Sequence, residues 1–355
     1  MVVSGSSSQA ESRLRTAPPW HGACVLHLAE WEGRLDAAKL DRTYAHLRSQ
    51  GATAVALSAF AWQDRLSSTT LRAFDGDAER GFHELEQAVT AAHRHGLAVL
   101  LKPHVEIGTE GKRDGTWRGE IRFDKSRQAR AWFKSYRSFM LQLADLAQRQ
   151  NVEVLAIGLE LGGLSGDHRE EWSRLVAAIR DRYSGRLTYC ANWWGEFGTT
   201  EIWSELDLLG VQAFAPLSGD PAATDAALAQ GAREIIRKLR AESERWKRPL
   251  LLTEYGFKSS PSPWVEPWQW DIGKADPEAQ RRAHLAWLRA LEGTEGRPTA
   301  WLFGSFCWLY EAGRPTPGPK DGGFSPGGKP AEGVLSEVWR RWNRASRNAN
   351  QAEDR

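Results

Sequence analysis

The chain has 355 residues, with 47 Lys and Arg against 45 Asp and Glu and a net charge of +2. That length suits one large domain, and a near-even charge balance without any Lys/Arg-rich block gives no reason to expect a nucleic-acid partner. The apolar runs are strand-length, too short to cross a bilayer, so no membrane span is expected.

Residues 1–18 are rich in Ser and charge and carry no apolar leader; they read as a disordered tail on a cytoplasmic protein. From residue 19 to 345 short apolar runs alternate with amphipathic ones, and 346–355 reads as a C-terminal tail. The expected strands are 23–28, 53–60, 97–104, 152–160, 186–192, 206–214, 248–254 and 300–308. Near-continuous apolar strands of this kind are buried on both faces, as in a parallel sheet. Between them, 128–150 repeats Trp132, Tyr136, Phe139, Leu143 and Ala147 on one face, and 168–184 repeats Trp172, Leu175, Val176, Ile179 and Tyr183. Both stripes are helical in period. Gly51, Gly96 and Gly185 stand where helices hand over to strands, as C′ residues do. Asp276-Pro277 opens the seventh helix as N-cap and N1. Eight β-then-α units without a break predict an α/β protein, a single (β/α)8 TIM barrel. No Gly-rich phosphate loop follows the first strand, which argues against a dinucleotide fold.

Barrel active sites form at the C-terminal ends of the strands. Two acidic residues stand there: Glu160 closes the fourth strand and Glu254 the seventh, each after a run of aliphatic residues. A carboxylate in such a place is costly to desolvate without partners or a purpose. On opposite sides of an eight-strand barrel the two can face each other across the mouth. Retaining glycosidases need such a pair about 5–5.5 Å apart, as nucleophile and as acid then base. The alternative is that each Glu merely pairs with a nearby cation. Other strand ends are polar or aromatic, at Lys102 and His104, Asn192, Gln212 and Trp308, and these residues are expected to bind substrate. His93 and His95 straddle a helix end and read as solvated.

The chain has 18 Trp and only 6 Tyr. Indole faces stack on the C–H faces of sugar rings. About half are expected in the core, as buried aromatics commonly are. The others fall in loops after strands: Trp117 beside Arg118, then Trp193-Trp194, then Trp264, Trp268 and Trp270. Together with Trp308 they would line a groove for several sugars. Cys24, Cys190 and Cys307 lie in apolar runs without metal-ligand spacing and read as buried free thiols. No metal motif occurs, and double displacement between two carboxylates calls for no cofactor.

LKPHV (101–105) followed by DGTWRGEI (114–121), IGLELGG around Glu160, LTYCANWW, LLLTEYGF around Glu254, and Gly328-Lys329-Pro330-Ala331 resemble glycoside hydrolase family 113, clan A β-mannanases. The resemblance covers roughly residues 22–342. It implies a retaining endo-β-1,4-mannanase that acts on a β-linked oligo- or polysaccharide, with Glu160 as acid/base and Glu254 as nucleophile. It also implies that the loop after the third strand and Trp308 help to hold the sugar to be cleaved. The chain departs from the clan pattern at Leu159, where many members carry Asn. It departs again at Gln212-Ala213-Phe214, where Asp-Ala-Tyr would place a phenol on the nucleophile. Tyr255 should point to the other strand face, and the first-strand exit, Ala29-Glu30-Trp31, matches nothing clear. Two other readings stay open: another β-glycanase or β-glycosidase on the same barrel, and a catalytically weak carbohydrate-binding barrel. Oligomeric state is not legible.

Overall fold

The computed structural model describes residues 19–26, 36–108, 116–270, 273–293 and 299–353. The expected tail 1–18, the exit Ala29-Glu30-Trp31 and the Asp114-Gly115 start of the third loop motif lie outside them.

In chain order the barrel elements are β1 (Trp20–Leu26), α1 (Ala37–Gln50), β2 (Ala54–Gln63), α2 (Ala78–Arg94), β3 (Ala98–Ile107) and α3 (Ser126–Arg149). Then come β4 (Val154–Leu159), α4 (Arg169–Arg180), β5 (Arg186–Asn192), β6 (Leu209–Gln212) and α5 (Asp225–Trp246). The chain finishes with β7 (Leu250–Tyr255), α6 (Pro277–Glu292), β8 (Leu302–Glu311) and α7 (Pro330–Glu353). Each of the eight strands pairs in parallel with its neighbours, and β1 pairs with both β2 and β8, which closes the ring. The expected TIM barrel is therefore what forms.

Three details differ from the sequence reading. No α-helix is described between β5 and β6; a 3-10 turn, Ile202–Glu205, stands there instead. β1 begins at Trp20, three residues early, because Trp20 pairs with Gly304 of β8. α7 runs through Glu353, into the segment expected as a tail.

Local chemistry explains the ends. The Asp36 side chain accepts from the N–H groups of Ala38 and Lys39 at 2.9 and 3.1 Å and so caps α1. Asp276 accepts from Ala279 N at 2.9 Å, with Pro277 at the first position of α6. Gly51 and Gly96 take left-handed φ values of 103° and 67°. Gly185 does not; a Cβ there would lie 2.1 Å from the Tyr183 hydroxyl, so its role is to leave room.

Strand alternation divides the core in two. On β3, Ala98 and Leu100 join the smaller cluster inside the barrel with Cys24, Leu251 and Phe306. Val99, Leu101 and Val105 face outward into the layer beneath the helices, where Trp132, Tyr136, Leu143 and Ala147 of α3 are buried. Lys102 and His104 continue the inward set. A hydrophobic strand with two polar residues at its inward C-terminal end delivers them to the mouth. All three cysteines are free and buried, as expected. His93 and His95 are not simply solvated: they lie 3.2 Å from Glu153 and 2.9 Å from Asp41.

Candidate active site

Four adjacent strands bring the acidic and amide residues to one level. Asn192 stands opposite Gln212 in the β5–β6 register, and Gln212 stands opposite Glu254 in the β6–β7 register. Glu160 follows β4 directly, and its N–H donates to the carbonyl of Cys190 at 2.9 Å. Its φ of 50° is left-handed, an uncommon state for a residue with a Cβ.

The Glu160 carboxylate has two partners. Arg118 Nη1 donates to Oε2 at 2.9 Å, and Asn192 Nδ2 donates to Oε1 at 3.0 Å. Arg118 is itself held on every side. Its Nε donates to the Val105 carbonyl at 2.9 Å, and its Nη2 lies 2.9 Å from Glu106 Oε1 and 3.1 Å from His104 Nδ1. His104 also lies 3.0 Å from Glu106. Burial, then the Arg118 charge, depresses the His104 pKa to about 4, so the ring is neutral at ordinary pH.

Glu254 is 3% exposed and forms an ion pair with Lys102, whose side chain is wholly buried. Burial pushes the Glu254 carboxyl above the usual glutamate range, and the Lys102 ammonium pulls against it. Burial also works against the ammonium, but the Glu254 carboxylate paired with it holds the Lys102 pKa above the ordinary lysine value, and the Cys24 thiol lies 3.4 Å away. The Gln212 amide is oriented by its neighbours: with Nε2 toward Glu254 it donates to Oε1 and Oε2 at 3.1 and 3.3 Å. It therefore supplies the hydrogen bond that the missing phenol would have made. Phe214, where that phenol was expected, packs against Phe324 with ring centroids 6.3 Å apart. Tyr255 faces away as expected, stacked on Trp287 at 5.7 Å.

Glu160, Glu254, Lys102, His104, Arg118, Asn192, Gln212 and Trp308 thus share the barrel mouth. Lys102 is buried against Glu254 and Cys24, and the nearly buried His104 and Arg118 are held by Glu106, Val105 and Glu160. Trp308 is 5% exposed, with its ring 5.4 Å from the Lys102 ammonium and 5.8 Å from Trp270. Trp264, placed in the groove by the sequence, is instead buried; its indole N–H donates to the Asp220 carbonyl and Arg282 covers its ring. The rim aromatics are Trp117, Trp194, Trp268 and Trp270, at 39, 75, 40 and 58% exposure. Trp193 packs partly into the core, 5.7 Å from Trp194 and 5.8 Å from Trp268.

Sequence reasoning missed Glu106, Tyr189 and Glu196. Glu106 lies two residues past the expected end of β3. Glu196 has no Lys or Arg near it in sequence, from 187 to 232, but neither do Glu201 and Glu205, so that signal does not single it out. Among the described residues no group of three or more His, Cys, Asp or Glu is placed to hold a metal ion. No described helix is long and apolar enough to cross a membrane.

A (β/α)8 barrel with separately partnered carboxylates at the C-terminal ends of β4 and β7 has the architecture of a glycoside hydrolase. The chain belongs to glycoside hydrolase family 113, whose family model matches residues 28–325. It is similar to the structure of a family 113 β-mannanase from Alicyclobacillus acidocaldarius, with 26% identity and a TM-score of 0.76 over 92% of this chain and 99% of that one. A second family 113 β-1,4-mannanase structure shares the fold at 21% identity and TM-score 0.75, over 90% of this chain and 98% of the other. A family 5 enzyme from Streptomyces cattleya, in complex with GlcNAc, shares it more distantly: 14% identity, TM-score 0.58, covering 92% and 81% of the two chains. No curated protein matches the chain.

Proposed function

We propose that this glycoside hydrolase is a retaining endo-β-1,4-mannanase with Glu254 as nucleophile and Glu160 as acid/base. The observation that carries the reading is the unlike surroundings of the two carboxylates. Glu254 lies deep, against a buried ammonium and an amide donor, which favour its anion. Glu160 lies at the strand end, between a guanidinium and an amide. The first step is attack of Glu254 on the anomeric carbon as the glycosidic bond breaks and Glu160 gives its proton to the departing oxygen. Glu160 then takes a proton from water, whose oxygen displaces Glu254 with net retention. The substrate class, a β-linked mannan or manno-oligosaccharide, is supported by family membership and by the likeness to the Alicyclobacillus β-mannanase. The exposed Trp194, Trp268 and Trp270 support a groove open to several sugars.

The test is reducing-sugar release with product sizing from β-1,4-mannan, glucomannan and cellulose, for wild type and Glu254→Gln. Mannan cleavage that vanishes in the variant is the expected result, with the β-anomer formed first by NMR. Cleavage of cellulose alone would discard the substrate, and an active variant would remove Glu254 from its role.

A further inference from the structure

Behind the mouth, a closed ring of hydrogen bonds joins Glu160 to a second glutamate. Asn192 Nδ2 donates to Glu160, and Asn192 Oδ1 accepts from Trp194 N at 2.7 Å, which leaves the amide only one orientation. The Asn192 N–H donates to Glu196 Oε2 at 2.7 Å. Glu196 Oε1 accepts from the Tyr189 hydroxyl, and the same hydroxyl accepts from Leu161 N at 2.8 Å. Leu161 is the residue after Glu160, so the circuit returns to the left-handed turn that presents the carboxylate. One phenol and one carboxylate therefore hold the N–H of Leu161, beside Glu160, and the backbone N–H of Asn192, whose side-chain amide faces the Glu160 carboxylate.

Glu196 is 4% exposed and Tyr189 fully buried, too deep for either to touch a sugar. Glu196 has no ion pair among the described residues. Burial pushes its carboxyl up to about 7, against the bonds from Tyr189 and the Asn192 N–H. A Gln or Leu would fill this space at lower desolvation cost, but the two donors meet different oxygens, so a Gln would turn its NH2 against one of them and a Leu would accept from neither. Gly158 is shaped to the same end: a Cβ there would lie 2.6 Å from the Tyr189 ring.

We propose that Glu196 is a positioning residue, which with Tyr189 fixes the turn carrying Glu160 and the amide bound to it. The inference rests on reading Glu160 as the acid/base. A misplaced acid should hurt only those substrates whose leaving group needs a proton.

The experiment compares kcat/KM for mannohexaose and for 2,4-dinitrophenyl β-mannobioside, whose phenolate departs unprotonated. It uses wild type, Glu196→Gln, Tyr189→Phe and Glu160→Gln, with melting temperatures alongside. For Glu196→Gln and Tyr189→Phe the expected result is a loss of roughly 10²-fold on mannohexaose, as a small misplacement can cause, and less than about threefold on the aryl glycoside. Tyr189→Phe keeps the ring packing and so covers the case in which Glu196→Gln does not fold. Equal losses on both substrates for these two variants, while Glu160→Gln still discriminates, would overturn the positioning role and leave the acid/base reading intact. A Glu160→Gln protein that does not discriminate would overturn both.

Discussion

With its nitrogen assigned toward Glu254, as the acceptors around it require, the Gln212 amide donates to the two carboxylate oxygens at 3.1 and 3.3 Å. Register puts the two residues opposite each other on β6 and β7. A sequence that has Phe214 in place of the expected phenol thus keeps a hydrogen-bond donor on this carboxylate by using the residue two positions earlier. Gln212→Leu should therefore lower kcat/KM on mannan about 10–100-fold, the worth of a hydrogen bond to a charged group. The melting temperature should change little. Steady-state kinetics on a soluble manno-oligosaccharide measures this, and wild-type activity would mean that the Gln212 amide does not support Glu254.

Lys102 is the buried counter-charge of Glu254. With Lys102→Met, the downward pull on the Glu254 carboxyl is lost while burial continues to push it up. The anion then forms only at higher pH, so the acid limb of the kcat/KM profile should move to higher pH. The unpaired buried group should also cost about 3–5 kcal/mol of stability. Lys102→Met with Glu254→Gln should recover part of that loss in urea unfolding; no recovery would argue against a direct pair.

His284 is fully buried, its ring 5.3 Å from Phe257 and 6.1 Å from Tyr255, and neither ring nitrogen has a hydrogen-bond partner among the described residues. Burial, with the Lys329 charge, lowers its pKa from 6.5 to about 3. Folding therefore favours the neutral ring, and the unfolded chain binds the extra proton below pH 6.5. Stability from this group is complete above pH 6.5 and is lost as pH falls toward 3, with a slope of about 1.4 kcal/mol per pH unit. His284→Leu should flatten the fall in unfolding free energy between pH 6.5 and 5. An unchanged slope would place the acid sensitivity elsewhere, for example at His21, which burial lowers to about 4.

Trp194 projects from the loop after β5 with 75% of its surface exposed. If it forms a sugar platform with Trp193 and Trp268, Trp194→Ala should raise KM several-fold for long manno-oligosaccharides, at roughly 1 kcal/mol per lost stacking contact. kcat and the melting temperature should hold. Identical KM values for long and short substrates would remove Trp194 from the groove.

Much of this protein was legible in its residues because local and periodic signals carried it. Eight aliphatic runs, helical stripes such as Trp132 to Ala147 and caps such as Asp276-Pro277 are short-range patterns, and together they determined a barrel. The polar residues closing those runs marked the mouth, since a buried strand that ends in Glu or Lys has only one wet end at which to place it. Tertiary structure alone decided who partners whom. Lys102 meets Glu254 across 152 positions, and Arg118 meets Glu160 across 42. Neither separation has a period that a sequence displays. The same limit hid Glu196 and Tyr189, whose importance lies in a ring that closes only when β4 and β5 lie side by side. It also sent Trp264 to the wrong surface, because burial of an indole depends on what packs over its loop.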